Sequence, residues 1–167
     1  MQITKQRVPL TGRFVVEHRD SGDKLKAVYD FPNGIVDEGL NSLLDVYFGG
    51  SAQIGTWYIG LVDNSGWSAF ADADTLSSHA GWSEFTSYTE ANRVTWAEDA
   101  AASRAITNST TADFSINATG NVKGIFVSSN NVKTTGTTGT LWSTAAFSSV
   151  VATANGDTLK VTYTVSG

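Results

Sequence analysis

The sequence predicts a mainly β protein, an antiparallel β-sandwich of jelly-roll or Ig-like type, with one α-helix near residues 35–48 and an N-terminal arm. Three observations lead there. Short segments of alternating or β-branched residues recur at close spacing, with Gly, Asn and Ser between them. No rhythm of strand, helix and strand runs along the chain, which disfavours a parallel α/β fold. The surface chemistry is hydroxyl rather than ionic: 18 Ser and 21 Thr stand in 167 residues of which only 16% are charged, against roughly 25% in an ordinary soluble protein. A hydrophobic fraction of 41% with five Trp argues against disorder. The length suits one core, so the division is an arm over 1–11 and a single sandwich domain over 12–167.

Residues 1–10 are polar apart from a few apolar positions and carry Lys5, Arg7 and Pro9. They read as an arm, of a kind that stays ordered only when something holds it, and a neighbouring subunit is one candidate. Residues 12–18 (GRFVVEH) and 25–31 (LKAVYDF) form a hairpin turned by Ser21-Gly22-Asp23, and Pro32-Asn33-Gly34 ends its second strand. The segment 35–48 then spaces Val36, Leu40, Leu43, Leu44 and Tyr47 as one apolar helical stripe. Asp37 and Glu38 suit the positive end of the helix dipole, and Gly49-Gly50 stops it. Gly39 inside it costs up to about 1 kcal/mol relative to Ala.

Residues 56–63 (TWYIGLVD) form a buried strand closed by Asn64-Ser65-Gly66. The stretch 67–91 is irregular, with a short helix at 73–80 that Asp74 would cap. Further strands are predicted at 93–98, 103–107, 112–118, 121–128, 140–146 and 158–165. In the last of these Leu159, Val161, Tyr163 and Val165 share a face, and Asn155-Gly156-Asp157 makes the turn before it. Residues 134–140 (TTGTTGT) are a short low-complexity loop.

Several function classes fall away. Without Cys there is no disulfide framework, thiolate nucleophile or Cys-ligated metal site. MQITKQRVPL lacks the apolar stretch of a secretory leader, and no window reaches the roughly 18 apolar residues of a membrane span. The expectation is a chain made in a cytoplasm with no membrane partner. The net charge is −5, and residues 46–99 hold one basic side chain, Arg93, against seven acidic ones. Nucleic-acid binding needs a clustered basic face, and the basic residues of the last third (Arg104, Lys123, Lys133 and Lys160) are scattered.

No catalytic frame is visible, so the chain is read as a non-enzyme without cofactor or metal. His18 and His79 stand in no GxSxG or HExxH setting and read as ordinary histidines. Asp63, Asn64, Asp72 and Asp74 lack the order of a calcium loop. A glycosidase pair from Glu84, Glu90, Glu98 and Asp99 rests on a separation that sequence does not supply. The sequons at Asn108 and Asn117 are chance matches in a chain this rich in Ser and Thr. Trp57 and Trp96, inside strand patterns, read as core. Trp67 and Trp82 lie in the irregular segment and, with Phe70, are the expected interface anchors; an exposed Trp67, Trp82 or Trp142 beside carboxylates would instead suit a sugar.

Three stretches belong together: NGIVDEGLNSLLDVYFGG (33–50), WYIGLVDNSGWSAFADADTLSSHAGWSEF (57–85) and the closing NGDTLKVTYTVS (155–166). They resemble a family of small structural virion proteins of tailed bacteriophages, over residues 12 to the end. The resemblance brings no catalytic residue. It implies a virion setting, and the expected role is a capsid decoration, or cement, protein on the outer surface of the phage head. Its partners would be the major capsid protein and itself, as a homotrimer, with Lys5, Arg7, Pro9, Trp67, Phe70 and Trp82 at the contacts. A tail, baseplate or fibre-adaptor component touching host glycan is the alternative.

Overall fold

The computed structural model describes residues 9–167. Ten strands and one helix follow in order: β1 (Thr11–Arg19), β2 (Leu25–Ile35), α1 (Asp37–Tyr47), β3 (Trp57–Asp63), β4 (Glu84–Phe85), β5 (Val94–Trp96), β6 (Ala105–Thr107), β7 (Ala112–Ser115), β8 (Gly120–Ser128), β9 (Leu141–Thr153) and β10 (Thr158–Ser166). All pairings are antiparallel, in the spatial order β4-β3-β8-β9-β2-β1-β10-β6, with β5 also on β3 and β7 also on β10. The sheet curls over until its far ends meet, where Tyr88 bridges Ile116 and Glu98 bridges Asn108. The result is sandwich-like, as the patterning predicts.

Alternation builds the interior. In β1 Phe14, Val16 and His18 point inward; in β10 Leu159, Val161, Tyr163 and Val165 do. The two strands pair along their whole length, from Thr11 against Ser166 to Arg19 against Thr158. Phe14 stacks on Tyr163 with ring centroids 4.4 Å apart, and Phe147 meets Tyr29 and Phe31 from β9. The β1–β2 turn forms as expected: Asp20 Oδ1 accepts the Gly22 and Lys24 N–H groups, and Asp23 takes φ 61°.

A second, smaller core lies on the other side of the sheet. Val62 of β3 and Phe126 of β8 turn outward and are covered by Val36, Leu76, Trp82 and Leu141, with Trp67 and Phe70 at the margin. The segment between β3 and β4 is therefore a lid packed on its own sheet. It holds no helix at 73–80: Asp74 Oδ2 accepts the Ala71 N–H and Thr75 bridges Ser78, a pair of tight turns. The bonds from Asp74 supply the backbone with the local alternative to a helix that Asp and Ser side chains favour.

Strand ends differ from the sequence pattern in instructive ways. β2 continues through Pro32 to Ile35, because the ladder to β9 takes in only Gly34 and Ile35 and a proline is tolerated where that edge is unpaired. β6 begins at Ala105, not 103, since Ser103 and Arg104 have φ of 52° and 63° and form a turn. β9 runs on to Thr153, seven residues past the expected 146.

α1 is where expected, and its apolar stripe faces outward. Of its stripe, only Val36, just before the helix, is buried; Leu40, Leu43, Leu44 and Tyr47 are 38, 43, 53 and 79% exposed, and Phe48 is 79% exposed. The interior is already filled by the strands, so the helix attaches through its first turn alone. There Gly39 lies against β9: a Cβ at this position would sit 2.4 Å from the Trp142 carbonyl oxygen. Glu38 accepts the Leu76 and Leu141 N–H groups, at 3.0 and 2.7 Å, and the Asp37 N–H donates to Asp72 O. The glycine that weakens the helix is thus what lets it dock.

Candidate docking surface

The outward stripe of α1 borders a groove of about 500 Å³. One wall is Leu43, Val46 and Tyr47, and the other side is made by Trp57, Trp96 and Trp142 from three strands. Leu10, leading into β1, lines it as well, and among the described residues Glu98 is the one charged residue in the lining. The indoles are fixed from beneath. Trp142 Nε1 donates to the Tyr163 hydroxyl at 2.8 Å, which also accepts from Asn33 Nδ2 at 2.9 Å. Burial pushes the Tyr163 hydroxyl up to about 12, against the pull of these bonds, so it stays neutral as their acceptor. Trp96 Nε1 donates to Asn108 Oδ1 at 2.8 Å, and Trp57 leans on Trp142 with centroids 5.8 Å apart. An apolar groove with rigid aromatic walls is suited to receive an apolar segment.

On the other flank of α1 lies a more polar concavity lined by Asp37, Glu38 and Asp45. It shares Ser42, Val46 and Ile54 with the groove, so the two are continuous around the helix. α1 contains no basic residue. Among the described residues none of Asp37, Glu38, Asp45 and Glu98 has a salt-bridge partner. The docking surface is apolar with an acidic rim.

Of the expected interface residues, Trp67, Phe70 and Trp82 do not line this groove. Lys5 and Arg7 lie outside the described residues, and Pro9 is exposed. Trp82, expected at a contact, is 5% exposed: it stacks on His79 at 3.8 Å and donates from Nε1 to Asp74 at 2.9 Å. Phe70 and Trp67 are half-buried against the same cluster, with Lys123 over the Trp67 ring. The physical reason is the outward Val62 and Phe126, which need a cover and draw it from the adjacent chain. Trp142, with its indole N–H held by Tyr163, is half-buried and flanks the groove rather than a carboxylate pair.

The candidate chemical groups are taken up by the fold. His18 Nε2 donates to Asp157 Oδ2 at 2.7 Å, and both side chains are almost fully buried. Lys26 Nζ and the Ala154 N–H donate to the same oxygen at 2.8 and 2.9 Å, so Asp157 ties the β9–β10 turn to the β1–β2 hairpin. Burial pushes the Asp157 carboxyl up, but its bonds to Lys26, Ala154 and His18 outweigh that and hold it at about 2. Because the folded value lies below the ordinary 3.8, the stabilisation is complete above that pH and is lost as pH falls toward 2. Asp157→Asn is expected to remove about 2 kcal/mol at neutral pH and flatten the acid side of the stability profile, read by urea unfolding from pH 2 to 7. An unchanged profile would contradict this reading of the pair.

Glu84 is locked to Arg93, with both nearly buried, and is not half of an open carboxylate dyad. Glu90 accepts the Ser115 N–H, and Asp63 accepts the Ser65 N–H. Asn108 spends its amide on Thr110 O and Val161 O and its oxygen on Trp96 and Tyr163 N–H groups, clasping the seam of the sheet. Among the described residues no group of three His, Asp or Glu side chains converges as a metal site. No helix among them is long and apolar enough to cross a membrane. Compared with known protein families and with curated proteins, the chain matches neither.

The sequence carried one signal for the lid that alternation obscures. β3 (Ile59 to Val62) and β8 (Gly124 to Ser128) are unbroken buried runs, the mark of strands covered on both faces.

Proposed function

We propose that this chain works by contact, as a capsid decoration protein that binds outside a phage head and bridges neighbouring subunits of the major capsid protein. The observation that carries the reading is the outward apolar stripe of α1 with its groove, while Trp82, His18, Asp157, Glu84 and Arg93 are engaged in holding the fold. Leu40, Leu43, Leu44, Tyr47 and Phe48 expose five large apolar side chains within nine residues, the kind of concentration that marks an interaction site. The sequence resemblance supplies the virion setting. Repeated weak contacts across a symmetric shell add up through avidity, so a surface of this size suffices.

The test is addition of the purified protein to empty shells that lack it. Saturable binding with raised resistance to heat is the expected result, and Leu44→Asp should weaken it at least tenfold without lowering the protein's own melting temperature. Binding to isolated tails in place of shells would move the assignment to a tail or baseplate component. Binding to neither would end the virion reading.

A further inference from the structure

We propose that the groove beside α1 is the seat for residues 1–8 of a second copy of this chain. The inference rests on the reading of the protein as one that works through contacts, and it stands apart from the virion setting.

Chemical match is the first argument. The groove is apolar and lined by Glu98, and the concavity continuous with it is lined by Asp37 and Asp45, three carboxylates without salt-bridge partners among the described residues. Two bare α1 faces brought together would set these carboxylates against each other, which disfavours a direct helix-to-helix pairing. Residues 1–8 (MQITKQRV) hold what the surface lacks: the cations Lys5 and Arg7, between apolar Met1, Ile3 and Val8. The sequence therefore places the complement to the acidic rim at its own N-terminus.

Reach is the second. The segment leaves the fold at Pro9 and Leu10, and Leu10 already lines the groove. Eight extended residues span at most about 26–29 Å, longer than the roughly 16 Å of the eleven-residue α1 that walls the groove.

Area decides between the chain's own segment and a neighbour's. Leu40, Leu44 and Phe48 lie outside the groove on the outer side of the stripe. Three apolar side chains laid back along their own groove would leave that outer side bare. Reciprocal exchange covers both: each segment fills the partner's groove while the two outer stripes close over the crossing segments. Exchange of a terminal segment between identical chains is a low-cost route to such an assembly.

The experiment compares the full chain with a variant lacking residues 1–8, by sedimentation and light scattering over a wide concentration range. The full chain should associate and the truncated one should remain a monomer with an unchanged far-ultraviolet spectrum. The synthetic peptide MQITKQRVPL is then titrated into the truncated protein while tryptophan emission is followed, since Trp57, Trp96 and Trp142 line the groove. Saturable binding that weakens with salt is expected, with a loss of tenfold or more for a peptide carrying Lys5→Glu and Arg7→Glu. Leu43→Asp, on the groove wall and half-exposed, should abolish both association and peptide binding while the protein stays folded. A full chain that is monomeric throughout, or a truncated chain that associates equally well, overturns the proposal. So does a peptide that binds the Leu43→Asp variant as tightly as its parent. Failure on phage shells with self-association intact would remove only the virion setting.

Discussion

Trp82→Ala is expected to destabilise the protein by about 3–5 kcal/mol, the cost of emptying a buried indole site. The ring lies between His79 at 3.8 Å, Phe126 at 5.1 Å and Phe70 at 5.6 Å, and its loss opens a void that these side chains do not close. It also strips Asp74 of the indole N–H, leaving a carboxylate that is 8% exposed with Ala71 N–H as its remaining donor. Urea unfolding checks this directly. The result also separates two roles for the lid. An interface anchor would leave the unfolding midpoint where it is and lower only binding; a core residue moves the midpoint and affects binding through the loss of folded protein.

Arg93→Ala should cost a similar amount, about 3–5 kcal/mol, because it leaves a buried carboxylate without its partner. Arg93 forms a two-pronged pair with Glu84, Nε to Oε1 at 2.9 Å and Nη2 to Oε2 at 3.0 Å, with side chains only 4 and 8% exposed. Its remaining nitrogen donates to Asn130 O and Gly136 O, and its plane lies 5.0 Å from the Phe126 ring centroid. Glu84 in turn accepts the Thr134 N–H. One guanidinium thus joins β4 to the low-complexity loop 134–140. The double variant Glu84→Met with Arg93→Met is expected to be more stable than Arg93→Ala alone, since removing both charges removes the desolvation cost. Recovery will be partial, because the Gly136 and Asn130 carbonyls lose their donor. A single-variant loss below about 1 kcal/mol would show that the pair is not buried as described.

Much of this fold is written in periodicities. The alternation of β1 and β10, the turn at Ser21 to Asp23 and the helix over 37–47 each follow from a local rule that the residues obey. The short strands were less visible. β4 is two residues long, and its existence depends on the register of β3, through Leu61 against Phe85 and Val62 against Glu84. β7 shrinks to Ala112–Ser115 because Ile116 leaves the ladder to close the seam with Tyr88. Neither fact has a local signature.

The docking surface shows the same division. Its helix, its apolar stripe and its acidic character were all readable from residues 35–48, and so was the basic segment at the N-terminus. The direction of the stripe was not. A 3.6-residue period states that a helix has an apolar face, and says nothing of whether the rest of the molecule has room for it. Here Phe14, Phe114, Phe147 and Tyr163 already fill the interior, while Gly39 binds the helix by one turn, so the stripe is left facing out. For Trp82 the converse holds: an irregular, polar-looking segment became a lid because Val62 and Phe126 exposed an apolar face that had to be covered. Sequence alone determined the long strands β1 and β10, the helix α1 and which of their faces are apolar. Tertiary structure alone decided which of those faces meet, because burial is a property of the space between elements and local pattern cannot specify it.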